Sequence, residues 1–198
     1  MEMKNLVKQI AYSCVLVLFL GCSTTRMQNS KNTIGGYNTA EELYKASLIA
    51  IKSKDKIQIA DFVVKSLPDE NTAKYMRKTN CRYRGFPYYE HNIQGDLFEA
   101  ERKRIDSLIV FTTQEYYDFS LSLERRYGSL ENLQFVGFDR DASLAESFES
   151  DGECKGVLGM EPWGRFTFPN SNDTIEYKIG EILKVNGKWK SFTYPKFF

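Results

Sequence analysis

The sequence predicts an α+β domain, with N-terminal helices and one long helix packed on a curved antiparallel sheet. Three observations predict it. Apolar residues recur at helical spacing between Leu43 and Tyr127. From Leu130 onward the period falls to two. Asn186-Gly187, the strongest two-residue turn signal in the chain, lies between two of these alternating runs and marks a hairpin. Helices followed by a meander gather on one face of its sheet.

The elements follow in order. Thr39-Ala-Glu-Glu42 is a capping box, in which the Thr39 hydroxyl accepts from the Glu42 amide and Glu42 reaches back. It opens a helix to about Lys52, with Leu43, Tyr44, Ala46, Leu48, Ala50 and Ile51 on its apolar stripe. A second helix is expected from Asp55 to Ser66, its inner face formed by Ile57, Ala60, Val63, Val64 and Leu67, with Pro68 as a limit. Asp69 to Lys78 adds a polar, exposed turn or two. Asn80 to Asn92 mixes β-formers with Gly85 and Pro87 and reads as a short strand, an irregular hairpin or a loop. Asp96 caps a further helix that runs to Tyr127, with a restart or bend at the second box, Thr112-Thr-Gln-Glu115, and Gly128 just past its end.

Strands are expected at 133–139, 143–148, 154–160, 164–168, 174–185 and 188–194. The last two form the hairpin. A two-residue loop would pair Lys184 with Trp189. A three-residue loop with Gly187 as a bulge pairs Leu183 with Trp189 and is preferred, because it puts two core residues on one face.

Composition narrows the function. Hydrophobic residues make up 42% and aromatics 14% of the 198 residues, which supports a real core. There are 27 basic and 26 acidic side chains. Glu2, Lys4 and Lys8 all lie before Cys22, so the remainder is balanced and exerts no long-range pull on nucleic acid. Arg82-Tyr83-Arg84 with Phe86 interleaves basic and aromatic residues, but on so balanced a chain it reads as a strand with solvated arginines.

Candidate chemistry is sparse. Glu181 shares the parity of Ile175, Tyr177, Ile179, Leu183 and Val185, so strict alternation aims it at the core or a wet pocket. A β-bulge at Gly180 would instead flip the phase and turn it outward. Ile182, apolar on the opposite parity, favours the bulge. His91 is the single histidine, and with Tyr88, Tyr89, Glu90 and Asp96 nearby it is the other acid–base candidate. One histidine argues against a zinc site, and neither a nucleophile elbow nor a Gly-rich phosphate loop is present. No metal and no cofactor are expected. Tyr177, Trp163 and Trp189 are candidate pocket residues, or simply core.

The N-terminus has signal-peptide anatomy: Lys4 and Lys8, an apolar stretch from Ile10 to Leu20, then Gly21 before Cys22. The apolar stretch is about half the ~20 residues that span a bilayer. Phe19-Leu20-Gly21-Cys22 resembles the lipobox of bacterial lipoproteins, with Phe19 in place of the usual Leu. The resemblance implies cleavage before Cys22, acylation of that cysteine and membrane attachment through the acyl chains. Residues 1–21 are then a leader, 22–38 a flexible Ser/Thr/Asn/Gly tether and 39–198 one domain. Ser23-Thr24-Thr25-Arg26 lacks an acidic export cluster, so the domain is expected to face the periplasm. Cys81 and Cys154 are then disulfide partners in an oxidising compartment, or two free buried thiols.

The element order from Thr39 to Tyr194, with the closing run Tyr177-Lys-Ile-Gly-Glu-Ile-Leu-Lys-Val-Asn-Gly-Lys-Trp-Lys, resembles the NTF2-like (SnoaL-like) superfamily. That resemblance implies a cone with a pocket; a cystatin-like helix-on-sheet domain is the alternative. The function expected is a non-enzymatic envelope module that binds a small apolar ligand or an envelope protein. The alternatives are a pocket enzyme, a small hydrolase or isomerase using Glu181 or His91, and a purely structural envelope component.

Overall fold

A computed structural model describes residues 35–79, 97–139, 146–147, 157–169 and 171–197, with backbone alone for 77, 97–104 and 146–147. The fold is α+β, as expected. Among the described residues, four helices, α1 (Ala40–Ser53), α2 (Lys56–Ser66), α3 (Glu70–Lys78) and α4 (Leu97–Tyr127), accompany eight short strands. The strands form two antiparallel four-stranded ladders. One has the order β1 (Gln134–Phe138), β4 (Gly164–Thr167), β5 (Thr174–Lys178), β8 (Lys196–Phe197); the other has β2 (Glu146–Ser147), β3 (Leu158–Met160), β6 (Ile182–Val185), β7 (Lys188–Ser191).

The helix starts are chemical. The Thr39 hydroxyl accepts from the Glu42 N–H at 3.0 Å, and the Glu42 carboxylate reaches back to the Asn38 N–H at 2.9 Å. Asp55 caps α2 by accepting from the Ile57 N–H at 2.8 Å. Asp69 does the same for α3, accepting from both the N–H and the hydroxyl of Thr72. The expected stop after Tyr127 holds, with the Gly128 N–H donating to the Glu124 carbonyl at 2.8 Å.

Several details differ from expectation. Helix α2 buries Ile59, Phe62, Val63 and Ser66, whereas Ile57 is 73% exposed. Of the expected inner face, Val63 and Leu67 are buried, Ala60 and Val64 are partly buried, and Ile57 faces outward. Helix α3 is less exposed than its polarity suggests: Thr72, Ala73 and Met76 are buried. Helix α4 runs unbroken through Thr112, which is buried mid-helix and does not start a turn. The last residues assigned to the tether belong to the folded unit. Tyr37 is in the core, and its backbone exchanges hydrogen bonds with Trp189 of β7.

The run 174–185 is two strands. The chain turns at Gly180, whose φ of +111° suits glycine, and where a Cβ would lie 2.5 Å from the Thr193 carbonyl oxygen. Upstream it pairs in one ladder, downstream in the other. Asn186 and Gly187 both have positive φ, 47° and 77°, and the loop has two residues, so Lys184 pairs with Trp189 and Leu183 with Lys190. This corrects the preferred three-residue loop. Strands β6 and β7 are buried on both faces, so pairing core with core did not discriminate between the registers.

The core is strongly aromatic. The rings of Phe166 and Tyr177 stack at 4.4 Å, those of Phe119 and Phe197 at 4.1 Å, and Phe119 meets Tyr177 edge-on. Tyr44 of α1 contacts Phe135, Phe138, Phe166 and Tyr177. Gly164 makes room for it: a Cβ there would lie 2.3 Å from Tyr44 Cδ1.

Candidate functional site

Cys22, Cys81, His91 and Cys154 lie outside the described residues. Tyr177 is fully buried, with its hydroxyl 2.6 Å from the Ser47 Oγ. The Ser47 hydroxyl donates to the Tyr44 carbonyl, so Tyr177 is the donor to Ser47. Burial holds the Tyr177 phenol well above its ordinary pKa, although the Ser47 bond pulls the other way. A phenol held neutral in a packed core is a structural group. Trp189 is buried in the other ladder beside Tyr37. Trp163 is half-buried under the Lys178 ammonium, 4.9 Å from its ring, and Lys178 pairs with Glu161 at 3.2 Å.

Glu181 sits just beyond the turn at Gly180. Its N–H donates to the Thr193 hydroxyl at 2.6 Å and its carbonyl accepts from the Phe192 N–H at 2.8 Å. It is half-buried, between buried Gly180 and Ile182. The change of phase at Gly180 is real: Ile179 and Ile182, on opposite parities, are both buried. Burial raises the Glu181 carboxyl above the ordinary value.

Two features escaped the sequence reading. The first is Lys190, 1% exposed, on the strand expected to carry Trp189 inward. Its ammonium donates to the carbonyls of Lys65 and Leu67 at 3.0 and 2.8 Å, in the last turn and at the C-cap of α2, and faces the Asp69 carboxylate at 3.4 Å. Burial lowers the Lys190 pKa, and Asp69 opposes that. Burial would raise Asp69, but Lys190, the Thr72 hydrogen bonds and the Gly35 N–H together hold it below its ordinary value. The group thus ties α2, α3, β7 and the start of the folded unit at Gly35. Pairing Leu183 with Lys190 was the signal that could have found it, and the other register hid it.

The second is a cleft of about 440 Å³ lined by Leu123, Arg126, Tyr127, Thr174, Ile175 and Glu176. None of the sequence candidates lines it. Among the described residues no cluster of three potential metal ligands occurs, and no helix is long and apolar enough to cross a membrane. Comparison with family profiles, curated proteins and solved structures finds no match to this chain.

Proposed function

We propose that this chain is a bacterial envelope lipoprotein, held at the membrane through acylated Cys22 and facing the periplasm, whose α+β domain is a non-enzymatic module that binds a protein partner. The anchor rests on the leader and on Leu20-Gly21-Cys22. The observation that supports the binding role is the aromatic packing among the described residues. Tyr44, Phe119, Phe166, Tyr177 and Phe197 pack against one another where a cone-shaped fold would keep its pocket. That same packing weighs against a pocket enzyme, since a catalytic Glu181 would need a second titratable group converging on a cavity.

Two measurements test the reading. Radiolabelled palmitate is expected to enter the wild-type chain and not Cys22→Ala, which should leave the membrane fraction or remain unprocessed. Crosslinking in intact cells is expected to join the domain to a protein. Unchanged membrane fractionation of Cys22→Ala overturns the anchor; the absence of any crosslinked protein overturns the binding role. Mass spectrometry under non-reducing conditions decides whether Cys81 and Cys154 are bridged.

A further inference from the structure

We propose that the outward half of one α4 turn, Val110 with Phe111, and the Tyr194 ring beside it make a shallow contact with the lipid bilayer to which Cys22 is anchored. This rests on the lipid-anchor reading above and adds a second, non-covalent point of attachment on the domain.

The helix turn is the first observation. Leu108-Ile-Val-Phe111 is apolar at every position, so that turn is apolar all the way round. The core covers only one side of it. Leu108 and Ile109 pack against the core, whereas Val110 is 71% and Phe111 51% exposed. Tyr194, on the link between β7 and β8, is the second. It is 55% exposed, and its ring meets that of Phe111 edge-on at 5.4 Å. Six large hydrophobic side chains are exposed among the described residues, and three of them stand together here, while Ile49, Ile57 and Val136 lie on three separate elements. Single exposed apolar side chains need no explanation, but a cluster of them marks a contact.

Size and position choose the occupant. A stable protein–protein interface takes roughly 20–30 residues a side, and three side chains fall far short of that. A bilayer needs less when another link has already brought it close. Gly35 follows Cys22 by thirteen residues, which span at most about 45 Å. Tyr37 pairs with Trp189, and Tyr194 follows five residues later, so the folded start and the aromatic pair are at most about 25 Å apart. A tether this short presents the patch to the bilayer at an effective concentration of about millimolar, where a contact too weak to act alone is occupied.

The chemistry fits the headgroup boundary and not the acyl interior. Tyrosine, apolar in its body and polar at its tip, settles at that level. Asp106 and Gln114, one turn to either side of Val110, are exposed and limit the depth. The contact is apolar, and the balanced charge of the chain gives anionic lipid no special part in it.

The test uses the acylated full chain in phosphatidylcholine vesicles, with a tryptophan placed at the patch. In Phe111→Trp, lipid brominated along its acyl chains should lower the added emission about twofold relative to unbrominated vesicles. Val110→Trp, at a more exposed position, should behave alike and serves if the first variant folds poorly. The wild type, with Trp189 buried and Trp163 half-buried, sets the background. Quenching by aqueous iodide alone would show the patch facing water. Quenching by neither agent would show it covered by the chain itself or by a second copy. Either result overturns the proposal. Absence of palmitate from the chain sinks the anchor and this contact together, whereas an acylated chain whose added tryptophan ignores brominated lipid sinks the contact alone.

Discussion

The Lys190 ammonium lies 3.4 Å from the Asp69 carboxylate, and the same lysine holds the carbonyls of Lys65 and Leu67. Lys190 is buried while Asp69 is about one-third exposed, so the pair is anchored from the inside. Replacing the lysine takes the shared donor from two carbonyls and leaves Asp69 with only its Thr72 and Gly35 hydrogen bonds. Lys190→Met is therefore expected to cost about 3 kcal/mol in urea unfolding. Asp69→Asn keeps a hydrogen-bonding side chain and is expected to cost about 1 kcal/mol. A Met variant as stable as the wild type would show that the ammonium holds nothing together.

Asp69 also sets an acid limit. Its folded pKa lies below the ordinary 3.8, because the Lys190 charge and the Thr72 and Gly35 hydrogen bonds outweigh the burial that would raise it. The unfolded chain binds this proton first as pH falls. The stabilisation is complete above 3.8 and is lost as pH drops through the lower folded value. Urea midpoints from pH 5 down to pH 2 should fall less steeply in Asp69→Asn than in the wild type.

Glu181 has the opposite sign. Burial raises its carboxyl above the ordinary 4.5. As pH rises past 4.5 the unfolded chain releases this proton first, so stability from this group declines through the window up to the folded value. Glu181→Gln should have a higher urea midpoint than the wild type at pH 7 and lose that advantage below pH 4.5. A variant less stable at pH 7 would mean that the charged carboxylate is wanted where it stands.

Three tyrosines separate hydrogen bonding from packing. The Tyr44 hydroxyl donates to the Pro162 carbonyl and accepts from the Ile179 N–H. Tyr44→Phe leaves both buried groups unmet and is expected to cost about 2 kcal/mol. Tyr177→Phe loses one bond to Ser47, for about 1 kcal/mol. The Tyr116 hydroxyl is buried with no hydrogen-bond partner among the described residues, so Tyr116→Phe should be neutral or stabilising. Thermal unfolding of the three variants checks the ranking; a costly Tyr116→Phe would reveal a bound water or ligand on that hydroxyl.

Gly164→Ala places a methyl group against the Tyr44 ring. The neighbours are rigid aromatic rings, so the cost is expected to be about 2–3 kcal/mol by urea unfolding. The double variant Gly164→Ala with Tyr44→Leu should recover part of it. If the single variant unfolds like the wild type, the ring and the strand are not in fixed contact.

Much of this fold is legible locally. Thr39, Asp55 and Asp69 announce helix starts, because a cap is a bond between residues two or three apart. Asn186-Gly187 announces the hairpin for the same reason. What misleads is the partner, which the sequence does not carry. Ile57 and Ile59 lie two residues apart on α2, and the packing of α1, α4 and β7 against that helix decides which is inside. Thr112-Thr-Gln-Glu115 has the composition of a cap, yet the long helix runs through it. Lys190 reads as a solvent-facing strand residue until helix ends are stacked above it. The cleft is invisible for a related reason: Arg126 and Glu176 are fifty residues apart in sequence and meet only when α4 lies beside β5.

The start of the folded unit has a mechanical consequence. Any tension pulled through the chain ahead of Gly35 first meets the Gly35 N–H bonded to Asp69 and then the two Tyr37–Trp189 backbone bonds. Only behind them stands α1. These contacts act as a strain relief, like the clamp where a cable joins its housing. The pull ends at β7 and the Asp69–Lys190 pair, and the aromatic interior behind them is shielded from it.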